Sequence, residues 1–552
     1  MGGTVSPQRR PIWYRPPNLV AGFRRAMRPY VDSPLRAFLV LASVAVTLYV
    51  ACAPLLSARY PPMTDLPFHA AHSSILRHYW DPSWHFQEQF FLRPLSVPYL
   101  LHYGVAAFFM LFLSPIAAVK VATATLLLMM PAGMAVLLAG MKRSPMGALL
   151  TLPFMYCSLT HWGFISFVAA LGLFCASVGF AMLALDRPTK LHSWGLAISL
   201  VLLFFSHIFR FPMGVMAVIG TAFFLYPATK RFWPIALPLV PSIALFSTWL
   251  VIRPKTLEAG GMTLTFDKTR WPEMKELIFA GFNDPAEGEM VSLFLRVSTF
   301  VALAAFFAVF VEGRWPMRTR REERFAMGAW GVVLVSALAL VYLFYSLPMQ
   351  IGLWWYVYPR EITAAAFVAI ALLPGLPRSV TVRAPLVTAL ALSGLVYGRY
   401  VAQKYAEFNA QTADFEAIAK ELPQAPKLLY LIHDHSGSSR TVSPFVHLPA
   451  WIQAEKGGHL SFNFAGFGAA PIAFRNPSEL GASVPPKVPL RWEWNAYPFK
   501  VLEHGAFFDW FLVRSSSAPD AFFYDDPEIK RVARQGKWWL FARQKLNRVS
   551  TP

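Results

Sequence analysis

Charge is scarce in this chain. Of 552 residues only 14% are Asp, Glu, Lys or Arg, whereas 56% are apolar, and a soluble domain carries about a quarter charged residues. That shortage excludes a disordered chain and argues against an ordinary soluble enzyme. Cysteine is scarce too. Cys52, Cys157 and Cys175 all lie in apolar stretches, which excludes a disulfide-built domain. No Asn-x-Ser/Thr sequon exists, because Asn476 is followed by Pro477; this agrees with a bacterial membrane rather than a secretory-pathway one. A phosphate-binding Walker loop, a dinucleotide fingerprint and a nucleophile elbow are all missing, so nothing supports an ATPase, NAD enzyme or serine hydrolase.

What is present is a succession of apolar runs, at about 35–56, 98–113, 117–140, 146–160, 164–185, 194–209, 212–227, 233–251, 292–312, 325–347, 361–375 and 384–400. Most approach the ~20 residues that cross a bilayer as a helix. The net charge of +20 sits largely in short clusters between these runs, where it orients the chain in a membrane, so nucleic acid is not the expected partner. The clusters are the arm at 1–34, Lys142/Arg143, Arg187/Lys190, Lys230/Arg231, Arg314 through Arg324, and Arg378/Arg383. All of them fall on the cytoplasmic side if one run between 57 and 140 does not cross. The run at 98–113 is short, Pro-bounded and carries Tyr99, His102 and Tyr103, which suits an interfacial helix. The expected fold is therefore a polytopic α-helical membrane protein with about 11 spanning helices, in the plasma (inner) membrane. The N-terminus is inside; an outer loop at 57–116 and a region from 401 to 552 are outside.

Residues 401–552 carry soluble punctuation and predict a small extracytoplasmic α/β domain. An amphipathic helix is expected over 403–421, strands over 427–432, 508–514 and 538–543, and a short helix over 527–535 between Pro527 and Gly536.

The most informative stretch is PPMTDLPFHAAHSSILRHYW at 61–80. Asp65, His69 and His72 share one helical face. Three readings are open: Asp65 caps the helix with solvated histidines, Asp65 is a general base at the membrane surface, or the three residues hold a metal. In the C-terminal region, His433 and His435 share one strand face, and His447 or His459 could add ligands; a solvated strand end is the alternative. The aromatics there, among them Trp451, Phe462, Phe464, Trp492 and Trp494, could stack on sugars or dock the domain.

Thr64-Asp65-Leu66-Pro67-Phe68-His69 follows directly on an inside-to-outside first helix. The interfacial Pro98-Tyr99-Leu100-Leu101 and the run ending Leu137 through Arg143 come next. Together these resemble the GT-C membrane glycosyltransferases, the superfamily of the protein mannosyltransferases and the lipid A aminoarabinose transferase. The resemblance implies a polyprenyl-phosphate-linked sugar as donor, transfer on the outer membrane face to a glycan, lipid or protein acceptor, and Asp65 and His69 as the catalytic pair of the loop. Many members carry a second acidic residue in this loop, for which Glu88 is the candidate.

Such chemistry needs a carboxylate to take the proton of the attacking hydroxyl and a cation for the departing phosphate. Arg210 in SHIFRFP and Arg360 in WWYVYPRE, both at outer helix ends, are the candidates, preferred over Lys255 for their forked guanidinium. Glu361 beside Arg360 is expected to be its ion-pair partner. His161 and His207, also at outer ends, are candidates for substrate binding; interhelical hydrogen bonds are the alternative. No metal or other cofactor is indicated, since a lipid monophosphate leaving group does not demand one. The competing functions are a transporter or flippase of lipid-linked sugars and an inactive scaffold in envelope assembly.

Overall fold

The computed structural model describes residues 33–94, 97–253, 264–282, 284–312, 319–352, 354–437, 443–467, 470–489 and 491–544; most of the basic arm and Lys255 lie outside them. The chain enters α1 (Pro34–Ser57) through a Ser33 cap whose hydroxyl accepts from the Arg36 amide, with Pro34 in the first turn, the arrangement that satisfies a free helix N-terminus. After α1 come α2 (Leu66–His78) and α3 (Leu101–Phe109). α4 (Pro115–Gly140) is capped by Ser114 in the same way.

The bundle continues through α5 (Ser158–Trp162), α6 (Ile165–Asp186), α7 (Lys190–Ser206), α8 (Arg210–Thr229) and α9 (Trp233–Ile252). It is completed by α10 (Met274–Phe279), α11 (Pro285–Val311), α12 (Arg320–Ser346), α13 (Val357–Ala369) and α14 (Val380–Gln411). α4 and α6 touch backbone to backbone. A Cβ on Gly133 would fall 1.8 Å from the Gly172 carbonyl oxygen, and one on Gly140 2.7 Å from that of Gly179. Small residues at facing positions are how helices pack where no hydrophobic force separates them from lipid.

Among the described residues eight helices are long and apolar enough to cross a membrane: α1, α4, α6, α8, α9, α11, α12 and α14. The chain is thus a polytopic helical membrane protein, but the expected count of about eleven is not reached by these criteria. The run at 146–160 folds instead as a 3₁₀ stretch, Pro145–Tyr156, followed by the five-residue α5. Pro145 and Pro153 deny it α-helical hydrogen bonds, and Gly163 at φ +94° ends it. The run at 361–375 becomes the 13-residue α13 and a 3₁₀ turn. α7, from the run at 194–209, has 17 residues. α3 has nine residues, about 14 Å of helix, less than half of a hydrocarbon core of about 30 Å.

The basic clusters gather at one end of the bundle. Asp186 pairs with Lys142 at 3.1 Å and Arg321 at 3.2 Å. Lys142 also lies over the Phe325 ring, and Arg143 donates to the carbonyls of Ala371 and Leu373. The C-terminal region sits at the opposite end. No break occurs at 401, because α14 runs unbroken to Gln411; the expected helix at 403–421 is the end of α14 plus α15 (Ala413–Lys420).

Among the described residues there are two strand pairs and one larger sheet. β1 (Phe90–Leu92) pairs antiparallel with β6 (Ile472–Phe474), and β2 (Gln350–Ile351) with β3 (Trp354–Trp355). A five-stranded sheet has the order β5 (His459–Leu460), β4 (Lys427–Ile432), β7 (Trp510–Arg514), β9 (Trp538–Arg543), β8 (Ile529–Gln535). β4 is parallel to both neighbours and, as a strand covered on both faces, reads as a continuous apolar run. The expected helix at 527–535 is instead the edge strand β8, antiparallel to β9 with Gln535 opposite Trp538. Pro527 and Gly536 punctuate a hairpin, whose two-residue loop takes Gly536 at φ +53°.

The loop that follows α1 and the C-terminal region are sewn together. Besides the β1–β6 pair, the Ser74 hydroxyl donates to the Ala454 carbonyl of α16 (Ala450–Lys456). Gln89 donates to the Gly458 carbonyl, and Arg59 and Tyr60 both bind Glu455.

Candidate active site

Asp65 stands at the N-terminal boundary of α2, but its carboxylate does not cap the helix. Its backbone is instead tied to α5: the Thr64 amide donates to the His161 carbonyl at 2.9 Å and the Asp65 amide to that of Trp162 at 3.1 Å. Gly163 makes this approach possible. It has φ +94°, and a Cβ there would lie 2.8 Å from the Asp65 Cβ, so both conformation and space require glycine. Freed from capping, the Asp65 side chain meets His447, with Nδ1 3.1 Å from Oδ1. The same nitrogen is 3.1 Å from the Thr64 carbonyl oxygen. His447 is fixed by rings: Phe68 at 4.8 Å, Phe464 at 5.2 Å and Trp494 at 6.3 Å between centroids.

His69 and His72 diverge from Asp65. His69 Nε2 is 3.1 Å from the Gly163 carbonyl and Nδ1 is 2.9 Å from the Tyr103 hydroxyl. A carbonyl only accepts, so Nε2 carries the proton and Nδ1 accepts from Tyr103. Burial pushes the His69 pKa down to about 3. Both nitrogens are engaged, and His69 holds the Gly163 turn. His72 Nε2 is 2.7 Å from Asn463 Oδ1, and burial lowers its pKa to about 4. The shared-face metal reading of Asp65, His69 and His72 therefore has no convergent donors, and no His/Cys/Asp/Glu metal cluster occurs among the described residues. In the C-terminal region His459 turns to the Ser483 carbonyl and His433 stacks on Phe522, so these do not join His447.

Arg360 opens α13 and lies with its guanidinium 4.0 Å from the centre of the Phe164 ring, one Nη donating to the Trp355 carbonyl at 2.9 Å. It is within electrostatic reach of Tyr99, Glu361, Asp65 and Arg210. Glu361 is not its ion-pair partner. Adjacent helical residues point about 100° apart, and Glu361 reaches α8, where it meets Arg210 at 2.6 Å. Both partners are buried, and Arg210 packs over Phe167 with Nη1 3.2 Å from the Met213 sulfur. Arg360 is then the guanidinium for which no carboxylate partner exists among the described residues, and its Nε is buried without an acceptor. Met213 also lines an apolar cavity of about 250 Å³ between α6, α8 and α12, with Phe174, Ala217, Gly220, Val332 and Leu340.

The remaining expected residues scatter. His207 is buried beside Tyr99 and Phe167 with neither ring nitrogen partnered, close enough to feel both arginines. His161 donates Nδ1–H to the Cys157 carbonyl and packs on Phe282 and Tyr405; its backbone carbonyl, not its ring, reaches the Asp65 segment, through the Thr64 amide. Glu88 pairs with His85 at 2.6 Å on the surface, away from Asp65. The acidic neighbour that the site does have is Glu493, buried with one carboxylate oxygen unpartnered. Burial, chiefly, raises its pKa, and it is close enough to feel His447 and Asp65. The sequence reading named His447 only as a possible ligand beside His433 and His435, and did not single out Glu493. The one hint was a histidine alone in the apolar Pro444–Ala450 stretch of a region otherwise read as wet.

The fold and site define a polytopic helical bundle with a carboxylate–histidine pair and, among the described residues, a guanidinium without a carboxylate partner. Among solved structures, the chain is similar to ArnT from Cupriavidus metallidurans bound to undecaprenyl phosphate, at 13% identity over 93% of this chain and 99% of that one, TM-score 0.46. The apo state of ArnT aligns with a TM-score of 0.45. The arabinofuranosyltransferase AftD from Mycobacteria aligns at 15% identity and TM-score 0.44, over 93% of this chain and 40% of that one. No family model and no curated protein matches the sequence.

Proposed function

We propose that this protein is a GT-C-type membrane glycosyltransferase that moves a sugar from a polyprenyl-phosphate donor to a hydroxyl acceptor at the outer membrane face. The observation that carries the reading is the meeting of Asp65, held by His447 at 3.1 Å, with Arg360, a guanidinium in its electrostatic reach and without a carboxylate partner among the described residues. Asp65 takes the proton of the acceptor hydroxyl as its oxygen bonds to the anomeric carbon. The bond from that carbon to the phosphate oxygen breaks, and the electron pair leaves with the lipid phosphate, whose charge Arg360 stabilises.

Arg360 fits this role better than Arg210, whose charge Glu361 already neutralises. The apolar cavity beginning at Met213 offers a greasy surface that starts beside Arg210, which suits an amphiphilic donor. A positioned carboxylate base contributes roughly 10²–10⁴-fold. In proteoliposomes supplied with polyprenyl-phosphate sugar and an acceptor, Asp65→Asn is expected to lose transfer by at least that lower factor while folding normally. A fully active Asp65→Asn variant overturns the proposal.

A further inference from the structure

We infer that His447, from the C-terminal region, is the positioning residue for the Asp65 carboxylate; this rests on the reading of Asp65 as the base. The Thr64 carbonyl and Asp65 Oδ1 both lie 3.1 Å from His447 Nδ1. A carbonyl oxygen can only accept, so Nδ1 bears a hydrogen and donates it to the Thr64 carbonyl, with the Asp65 carboxylate against the same edge of the ring. The ring thus seats the carboxylate beside the backbone that precedes it. The ring cannot turn away from this task, because Phe68, Phe462 and Phe464 wall it in. His447 is 3% exposed, and its Nε2 has no partner among the described residues. Asp65, by contrast, keeps 17% of its side chain exposed, so it is reachable from outside the histidine's box. The titratable groups around the pair are Glu493, which acts on both, and Arg360, His69 and Tyr103, which interact with Asp65.

The walled-in ring fixes the rotamer of the carboxylate beside it, and its removal loosens the base. His447→Leu is expected to lower kcat roughly 10- to 100-fold, the scale of a misplaced catalytic group, with KM for the lipid donor unchanged. His447→Asn, which keeps an N–H near the Nδ1 position, restores kcat, whereas His447→Gln, whose donor extends to the Nε2 position, does not. If the leucine variant does not fold, the Asn and Gln variants make the same comparison alone. Equal kcat in the Asn and Gln variants, or a kcat of wild-type size in His447→Leu, overturns the role of His447. Asp65→Asn separates the two levels. An inactive Asp65→Asn with a wild-type His447→Leu leaves the base standing without its positioner; an active Asp65→Asn removes both.

Discussion

Gly163→Ala tests the local geometry of the site most directly. The native φ of +94° is closed to alanine at a cost of about 1–3 kcal/mol. The new methyl group would also sit 2.8 Å from the Asp65 Cβ and amide nitrogen, 0.6 Å short of the 3.4 Å where ordinary contact begins. Neither side yields freely. The Asp65 and Thr64 amides are bonded to the Trp162 and His161 carbonyls, and His69 holds the Gly163 carbonyl from the other side. Relief must therefore push Asp65 and α5 apart by several tenths of an ångström, moving the carboxylate off His447. A shift near 1 Å at a reacting group costs on the order of 10²-fold, so a loss of about ten- to hundred-fold in kcat is expected. Stability is expected to fall by about 2 kcal/mol, at the centre of the strain range. Sugar transfer in proteoliposomes and a thermal unfolding scan of the purified protein read the two effects. Wild-type turnover with an unchanged melting temperature would refute the reasoning that Gly163 sets the position of Asp65.

Glu361→Ala leaves Arg210 buried without its 2.6 Å partner and is expected to destabilise the protein by about 3 kcal/mol; Glu361→Ala with an unchanged unfolding midpoint contradicts the pairing. The histidines of α2 make stability depend on pH. His69 and His72 have folded pKa values near 3 and 4 against 6.5 when unfolded. The unfolded chain thus takes up protons that the folded one refuses, and stability is intact above about 6.5 and is lost progressively toward 4. Each such group contributes up to about 1.4 kcal/mol per pH unit within that window. The melting temperature is expected to drop from pH 6.5 to pH 4, with a shallower slope in His72→Met.

Much of the helical frame was legible in the sequence because an apolar run of membrane length announces itself. The expected 35–56, 117–140, 164–185 and 233–251 correspond to Pro34–Ser57, Pro115–Gly140, Ile165–Asp186 and Trp233–Ile252. β4 and β9 were read to the residue, since buried strands there are unbroken runs of branched and aromatic side chains. The run at 146–160 folds as a 3₁₀ stretch and not as an α-helix; hydropathy counts carbon and not the missing amide of Pro153. Residues 527–535 were misread because a hairpin and a short helix share the same Pro and Gly borders.

Asp65 was legible as a singular carboxylate after the first helix. Its partner was not, because His447 lies 383 positions beyond Thr64 and nothing local marks a contact made only through the fold. Glu361 was assigned to Arg360 by adjacency, whereas a helix turns neighbours away from each other and the real pair spans α8 and α13. Glu88 was chosen for lying in the same loop; Glu493 comes nearer only because β1 and β6 fasten that loop to the distant region.

The seam between the loop after α1 and the last third of the chain has a consequence for biogenesis. Asp65 follows directly on α1, yet His447 is made only after α14 has been completed. Until then the nascent protein carries an Asp65 without that ring beside it, and folding of the described membrane helices alone does not supply it. The pair therefore forms late, when the C-terminal region closes over the loop.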